Sequence, residues 1–435
     1  MTVIPASIHS ETSQANVKKM KRNIIVAALM GLGGLTLSAA DGNPAARVWQ
    51  FDFLSGKLSP GMTRVMPTNL YSSASKWGFD LGFAATNLPD GGVTSDRPFF
   101  FSVSLPEENY RVTATFGDKS GATTNTVKAE ARRLLLENVV AGTGETATRS
   151  FLVNTRTPNY PGGKVHLKSR EAANEALTWD DKLTLEFNGP RLVLRTLEIA
   201  PANPTSIIFI AGDSTVCDQP LEPWNSWGQM LPRFFNDQIA VANYAESGES
   251  IKSSLAAHRF DKIFSLIRPG DYLFVQFGHN DMKDKSADAL GTYKSNLGKI
   301  VALTRAKGAT PVLVTSMERK AGVIAPTLAG YPDAVRDLAR EAGVTVIDLN
   351  AMSLQLYRAL GPHLGIAFQD GTHHNNYGSY ELARCVVEGI RQNMPGLAKF
   401  LAADVSNFDP AKPDDVKTFN LPASSLRDST KPEGN

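Results

Sequence analysis

Cysteine is scarce: Cys217 and Cys385 are the only two in 435 residues. Two cannot make the disulfide framework of a small secreted scaffold. They read as buried thiols acting as small hydrophobes, with a single bridge as the alternative. No Cys-x-x-Cys and no His-Glu-x-x-His occurs, so nothing suggests a metal site, and neither metal nor cofactor is expected. No Gly-x-Ser-x-Gly occurs, which argues against the ordinary α/β-hydrolase nucleophile elbow. No Walker loop or dinucleotide glycine fingerprint follows a strand. Low-complexity tracts and internal repeats are also missing. Net charge is small, +2 at pH 7, which argues for neither a nucleic-acid partner nor an anionic membrane surface.

What is present is an ordinary globular composition, 42% hydrophobic and 20% charged, with room for two or three domains of roughly 150 residues. The amino-terminal 1–40 is read as a signal peptide. Lys18-Lys19-Met20-Lys21-Arg22 is a basic leader, 24–37 is apolar, and Ser38-Ala39-Ala40 offers a cleavage site. Met20 is a candidate start, with 1–19 an upstream extension. An uncleaved anchor is the alternative, although the run is short for a span of ~20 residues. Cleavage leaves 41 basic and 42 acidic residues. A secreted or periplasmic, bacterial location is expected, with no membrane attachment after cleavage.

Segment 46–200 reads as an all-β sandwich. Alternating runs at 48–53, 99–105, 110–116, 164–168, 182–187 and 191–199 are separated by turn residues such as Pro89-Asp90-Gly91-Gly92 and Asn188-Gly189-Pro190. The prolines of 200–205 suggest a linker. Strand candidates then fall at 207–211, 239–243, 271–276, 311–316 and 344–348. Helical stretches fall near 225–236, 252–267, 287–307, 331–342, 351–360 and 377–394. This alternation predicts an α/β domain over 206–400, a parallel sheet covered on both faces. The polar tail 403–435 reads as a surface arm or as disordered.

Four stretches of the second domain carry chemistry: Gly212-Asp213-Ser214, Ser247-Gly248, Gly278-His279-Asn280-Asp281 and Asp370-Gly371-Thr372-His373. The first follows the apolar run 207–211. A serine at the carboxyl end of a buried parallel strand lies where open α/β sheets put reactive groups. The last offers a histidine with a carboxylate three residues earlier. Nucleophile, base and orienting acid are what acyl transfer through serine requires. His374 competes with His373 for the role of base. Trp224 and Trp227 follow the serine; Trp227 is read as core, and Trp224 as either core or a platform for a sugar face.

The four stretches, in this order, resemble those of the SGNH hydrolases, the GDSL esterase superfamily. Ala211 to Val216, Phe277 to Asp281 and Asp370 to His373 are most similar to the rhamnogalacturonan acetylesterases, as is Tyr331 to Arg336 leading into Val346 to Met352. The resemblance implies a flavodoxin-like three-layer fold, with Ser214 as nucleophile, His373 as base and Asp370 as its orienting acid. It also implies an oxyanion hole made by the backbone N–H groups of Ser214 and Gly248 and the side-chain amide of Asn280. His279 and Asp281 are read as loop supports. Many rhamnogalacturonan acetylesterases carry arginine after the glycine of the second stretch. Glu249 stands there in this chain, and an acid lining the cleft would repel a galacturonate carboxylate; Lys252 or Arg319 could compensate. Segment 46–200 is similar to galactose-binding-like jelly-roll domains found ahead of some bacterial esterases, on strand pattern and on Leu105 to Tyr110.

The expectation is therefore a cofactor-free carbohydrate esterase acting on an acetylated plant polysaccharide or oligosaccharide, rhamnogalacturonan first and acetylated xylan next. A lipase or thioesterase of the same superfamily is the alternative within enzymes. A glycan-binding protein with a weakly active hydrolase fold is the alternative of another class.

Overall fold

The computed structural model describes residues 47–82, 85–174 and 176–433. The proposed signal peptide, 1–40, lies outside them.

The first part of the chain folds as two sheets packed face to face, antiparallel except where Trp49–Asp52 pairs in parallel with Thr63–Arg64. In Asn109–Phe116 every second side chain (Tyr110, Val112, Ala114, Phe116) is buried, the period-two pattern of a strand with one face on a core. This strand lies between Ala147–Asn154 and Leu194–Pro201, and the sheet continues through Trp49–Asp52 to Thr63–Arg64. The second sheet runs Trp77–Asp80, Phe99–Ser104, Lys182–Arg191, Thr123–Ala129, Arg133–Ala141. Phe51, Phe53, Phe79, Phe99, Phe101, Phe116 and Phe187 belong to the core between the sheets. Phe51 and Phe101 meet edge to face, with ring centres 5.0 Å apart.

Two sequence expectations for this region need correction. The strand expected at 164–168 is only Gly163–Lys164, half of a short hairpin with Asn159–Tyr160; Val165 instead joins the core of the α/β region. The turn expected at 188–190 is a bulge inside Lys182–Arg191. Gly189 sits there at φ +143, and a Cβ would lie 2.1 Å from the Thr124 carbonyl oxygen, so the position requires glycine.

The second part is α/β. Ser206–Gly212, Ile239–Asn243, Tyr272–Gln276, Thr310–Val314 and Thr345–Ile347 form one parallel sheet, in spatial order second, first, third, fourth, fifth. Successive residues face opposite sides. Ile208, Ile210 and Phe274 pack with Leu356, Leu382 and Val386 from Leu349–Leu360 and Asn376–Asn393. Ile207, Phe209 and Val275 pack with Leu297, Val335 and Ile263 from Ala289–Ala306, Tyr331–Ala342 and Arg259–Leu266. With both faces covered, the strands read as unbroken apolar runs. The strand order reverses beside Ser206–Gly212, the switch point at which such sheets hold ligands. Two helices differ from expectation. That at 252–267 divides at His258, which has φ 60, into Ile251–Ala256 and Arg259–Leu266. That at 225–236 shortens to Trp227–Met230 plus a 3₁₀ turn, Leu231–Phe234, with Pro232 at its start.

The expected linker is a boundary of topology and not of packing. Leu194–Pro201 runs within a few residues into Ser206–Gly212, and Leu134, Leu152 and Trp179 of the β region belong to the two core clusters of the α/β sheet. Buried polar groups cross the junction as well. Arg132 contacts Glu222 at 2.6 Å and donates to the carbonyls of Gln219 (3.1 Å) and Trp224 (2.9 Å). The tail beyond 403 is a fixed strap. Leu421 is buried, the backbone N–H of Ser424 donates to Glu222 at 2.9 Å, and Glu222 and Asp428 exchange backbone bonds with the opposite segment.

Candidate active site

The chain leaves Ser206–Gly212 in a tight turn. Asp213 accepts from the Thr215 backbone N–H (2.9 Å) and hydroxyl (2.7 Å), while the N–H groups of Val216 and Cys217 donate to its carbonyl, each at 3.0 Å. A Cβ on Gly212 would lie 2.7 Å from both the Gln276 carbonyl and Val216, so only glycine lets the turn close. This geometry lifts Ser214 above the sheet end, where Nε2 of His373 lies 2.8 Å from its Oγ. On the other side of the ring, Nδ1 of His373 lies 2.8 Å from Asp370 Oδ2. Asp370 Oδ1 accepts from the backbone N–H groups of Thr372 and His373, each at 2.6 Å. Burial favours the neutral acid, but the His373 ring and these N–H donors outweigh it and hold the Asp370 carboxyl well below the usual carboxylate range.

His374 is directed away from the serine. Its Nε2 lies 2.9 Å from the Tyr357 hydroxyl, and burial, then the neighbouring His373 and His279, push its pKa down to about 3. Only His373 of the two meets Ser214. Both ring nitrogens of His279 face acceptors, Asp213 Oδ2 at 3.2 Å and the Met317 carbonyl at 3.0 Å, which ties its loop to the serine turn. Asp281 accepts from the backbone N–H of Ile251 at 2.9 Å, and burial raises its pKa to about 7. Asn280 donates to the Glu249 carbonyl at 3.0 Å and its oxygen accepts from Lys283 at 2.9 Å. These two bonds fix the amide plane and leave its second N–H available. Neither the Ser214 nor the Gly248 backbone N–H donates to a backbone carbonyl among the described residues. Gly248 has φ +74.

The placement of Glu249 corrects an expectation. Its side chain is 2% exposed. The Ser253 hydroxyl donates to it, and Lys168 and Arg259 lie 3.3 and 3.9 Å away. The carboxylate is turned into the protein and neutralised there, so it does not line the cleft as an exposed acid. Lys252 is exposed and pairs with Asp284 at 4.0 Å, whereas Arg319 donates to the His279 carbonyl at 3.2 Å. Trp227 is fully buried and donates to Gln276 at 2.8 Å. Trp224 stands edge-on to the His373 ring, centres 5.7 Å apart, and borders a small cavity with Arg170 and Lys431. Cys217 and Cys385 are both buried; Cys217 Sγ lies 3.3 Å from the Ser247 hydroxyl, and burial raises the Cys385 pKa.

Sequence reasoning missed three residues at this site. Gln219 donates to the Ser214 carbonyl (2.7 Å) and to the Ser247 hydroxyl (3.2 Å), joining the first two stretches. Lys168 and Arg132 reach the same loops from the β region. No motif singles these residues out; a basic residue in a β segment reads as solvated surface until the tertiary contact is known.

Residues 210–379 match the model of the GDSL-like Lipase/Acylhydrolase family. Rhamnogalacturonan acetylesterase RhgT of Bacillus subtilis (strain 168) is 39% identical over 207 residues, 42% of this chain and 89% of that protein. The chain belongs to the GDSL-like lipase/acylhydrolase family. It is a carboxylic ester hydrolase. The uncharacterized esterase YxiM of the same organism is 28% identical over 383 residues, 81% of this chain and 93% of that protein. A match of that length takes in much of the β region as well as the family domain. The X-ray crystal structure of the YxiM protein is similar over 81% of this chain and 100% of that chain, at 26% identity and a TM-score of 0.45.

Proposed function

We propose that this family member is a carbohydrate esterase that removes O-acetyl groups from a plant cell-wall polysaccharide, rhamnogalacturonan first, through an acetyl-serine intermediate. The observation that carries the mechanism is the chain of contacts Ser214 Oγ, His373 and Asp370, each step 2.8 Å. The names of relatives such as RhgT support the substrate class.

Ser214 Oγ attacks the acetyl carbonyl carbon while His373 Nε2 takes the hydroxyl proton. The carbonyl oxygen becomes an oxyanion, received by the N–H groups of Ser214 and Gly248 and the free N–H of Asn280. The sugar oxygen leaves with the proton from His373. Water then attacks acetyl-Ser214, giving its proton to His373. Acetate departs, and the proton returns to Ser214. Asp370, held as a carboxylate, orients the ring and favours its charged form throughout. Trp224, beside His373, is assigned a contact with the sugar. The basic and apolar leader at 18–40 supports export.

A fluorophosphonate tests the nucleophile: peptide mapping should locate the label on Ser214, and a protein active on aryl acetates yet labelled elsewhere overturns the assignment. Acetate release from a panel of acetylated polymers tests the substrate. Faster release from acetylated xylan than from rhamnogalacturonan overturns the first choice, and release from none overturns the carbohydrate reading.

A further inference from the structure

Several cations surround the residues of the candidate site. Lys168 and Arg170 come from the β region; Lys168 Nζ donates to the Ser247 carbonyl at 2.6 Å, and Arg170 borders the cavity beside Trp224. Lys283 holds Asn280, Arg319 holds the His279 carbonyl, and Lys431 of the tail lies 3.6 Å from Asp370. Into this rim the chain inserts a carboxylate of its own. Glu433 Oε2 lies 3.4 Å from Lys168 Nζ, with 52% of that acid's side chain exposed. Its Cβ is 3.1 Å from where a Cβ on Gly248 would stand.

An ammonium has three donors. One of those on Lys168 goes to the Ser247 carbonyl, a second faces Glu249 at 3.3 Å, and the third faces Glu433. Ser247 and Glu249 are fixed parts of the fold, and both flank Gly248. Glu433 belongs to the last residues of the strap and is half in solvent. The third donor is thus the exchangeable one, and Lys168 Nζ lies beside Gly248, 3.1 Å from where a Cβ there would stand.

We propose that Lys168 is a specificity-determining residue lent by the β region: it seats the carboxylate of an acidic sugar unit beside the acetyl-bearing one, where Glu433 sits in this structure. The inference rests on the carbohydrate-esterase reading and deepens it, naming a uronate-bearing polymer as the substrate class. The β region then takes part in substrate choice, and the strap's own acid competes with substrate for the same donor.

The test uses the full mature chain and follows p-nitrophenyl acetate hydrolysis with two unacetylated competitors, trigalacturonate and xylotriose. Wild type should be inhibited at lower concentration by the acidic trimer than by the neutral one. Lys168→Gln should raise the inhibition constant for trigalacturonate about tenfold, the size of one charge-assisted hydrogen bond, and that for xylotriose much less. Lys168→Arg should restore the preference, and Glu433→Gln should lower the trigalacturonate constant. An equal change for both trimers in Lys168→Gln, or none, overturns the assignment and leaves Lys168 a residue that positions the Ser247 loop. Trigalacturonate inhibition indifferent to Glu433→Gln refutes the shared seat. If neither trimer inhibits an active enzyme, the carbohydrate reading fails and takes this inference with it.

Discussion

The parallel and antiparallel halves reach the candidate site in different ways. The parallel half presents short side chains on loops at strand ends: Ser214 after Ser206–Gly212, Asn280 after Tyr272–Gln276, and His373 on the loop before Asn376–Asn393. The antiparallel half sends long cations across the junction: Arg132 into the loop that carries Trp224, and Lys168 onto the Ser247 carbonyl. The first half supplies groups that can exchange protons and donate to an oxyanion. The second supplies fixed charge that holds those loops in place. Under the proposed mechanism the site therefore has two kinds of dependence, rate on the parallel half and loop order on the antiparallel half.

Substitutions can break or sharpen that contrast. The largest effect is expected at Ser214→Ala, which should lower turnover on an aryl acetate by at least about 10⁴-fold. Its urea unfolding midpoint should stay close to wild type; a large loss of stability with it would erase the contrast. Arg132→Met should behave the opposite way. It leaves Glu222 as a buried carboxylate without its 2.6 Å partner, and breaking a buried pair costs about 3–5 kcal/mol. Equilibrium unfolding reads this directly, and an unchanged midpoint would show that the junction does not depend on the pair. Asn280→Ala should lose roughly 10²–10³ in turnover, the cost of one oxyanion donor; a change under about threefold would remove Asn280 from that role.

The smallest effect is a pH dependence set by the antiparallel half. Burial raises the Glu130 pKa to about 8 in the fold, above its unfolded value. A raised acid contributes stability fully below the unfolded pKa and loses it as pH rises through the folded one. Melting temperature should therefore fall as pH rises from the ordinary carboxylate range to about 8, level off above that, and fall less in Glu130→Gln. A parallel decline in both proteins would exonerate Glu130. Asp370, with its lowered pKa, has the opposite sign: its contribution is present above the unfolded carboxylate range and is lost as pH drops through the folded value.

The α/β region was the more legible half. Its five strands are buried on both faces and so appear as bare apolar runs such as Ile207 to Ala211, and the structure bounds all five within one or two residues of expectation. Thr123–Ala129, Arg133–Ala141 and Ala147–Asn154 carry no such signal in the sequence. Asn125, Thr126, Lys128 and Arg133 are buried in them, which destroys the polar and apolar alternation that marks a half-exposed strand. Those polar residues are inside because they have partners on neighbouring strands or across the junction, which no local pattern encodes. Val139 accepts at its carbonyl from Asn125 at 3.1 Å, and Arg133 donates to the Val241 carbonyl at 3.3 Å. The tail departs from expectation for a related reason: its composition is that of an exposed arm, and it is held by a few specific contacts such as that of Ser424 with Glu222.

The sequence alone determined the strand and helix series of the α/β region, the family, and four short stretches whose residue types suit acyl transfer. These follow from local periodicity and from chemistry that few side chains can perform. Tertiary structure alone decided that Glu249 turns inward onto Lys168 and Arg259, and that the β region and the tail both reach the mouth of the site. Those outcomes depend on distances between residues far apart in the chain, and only the packing of the whole fold sets such distances.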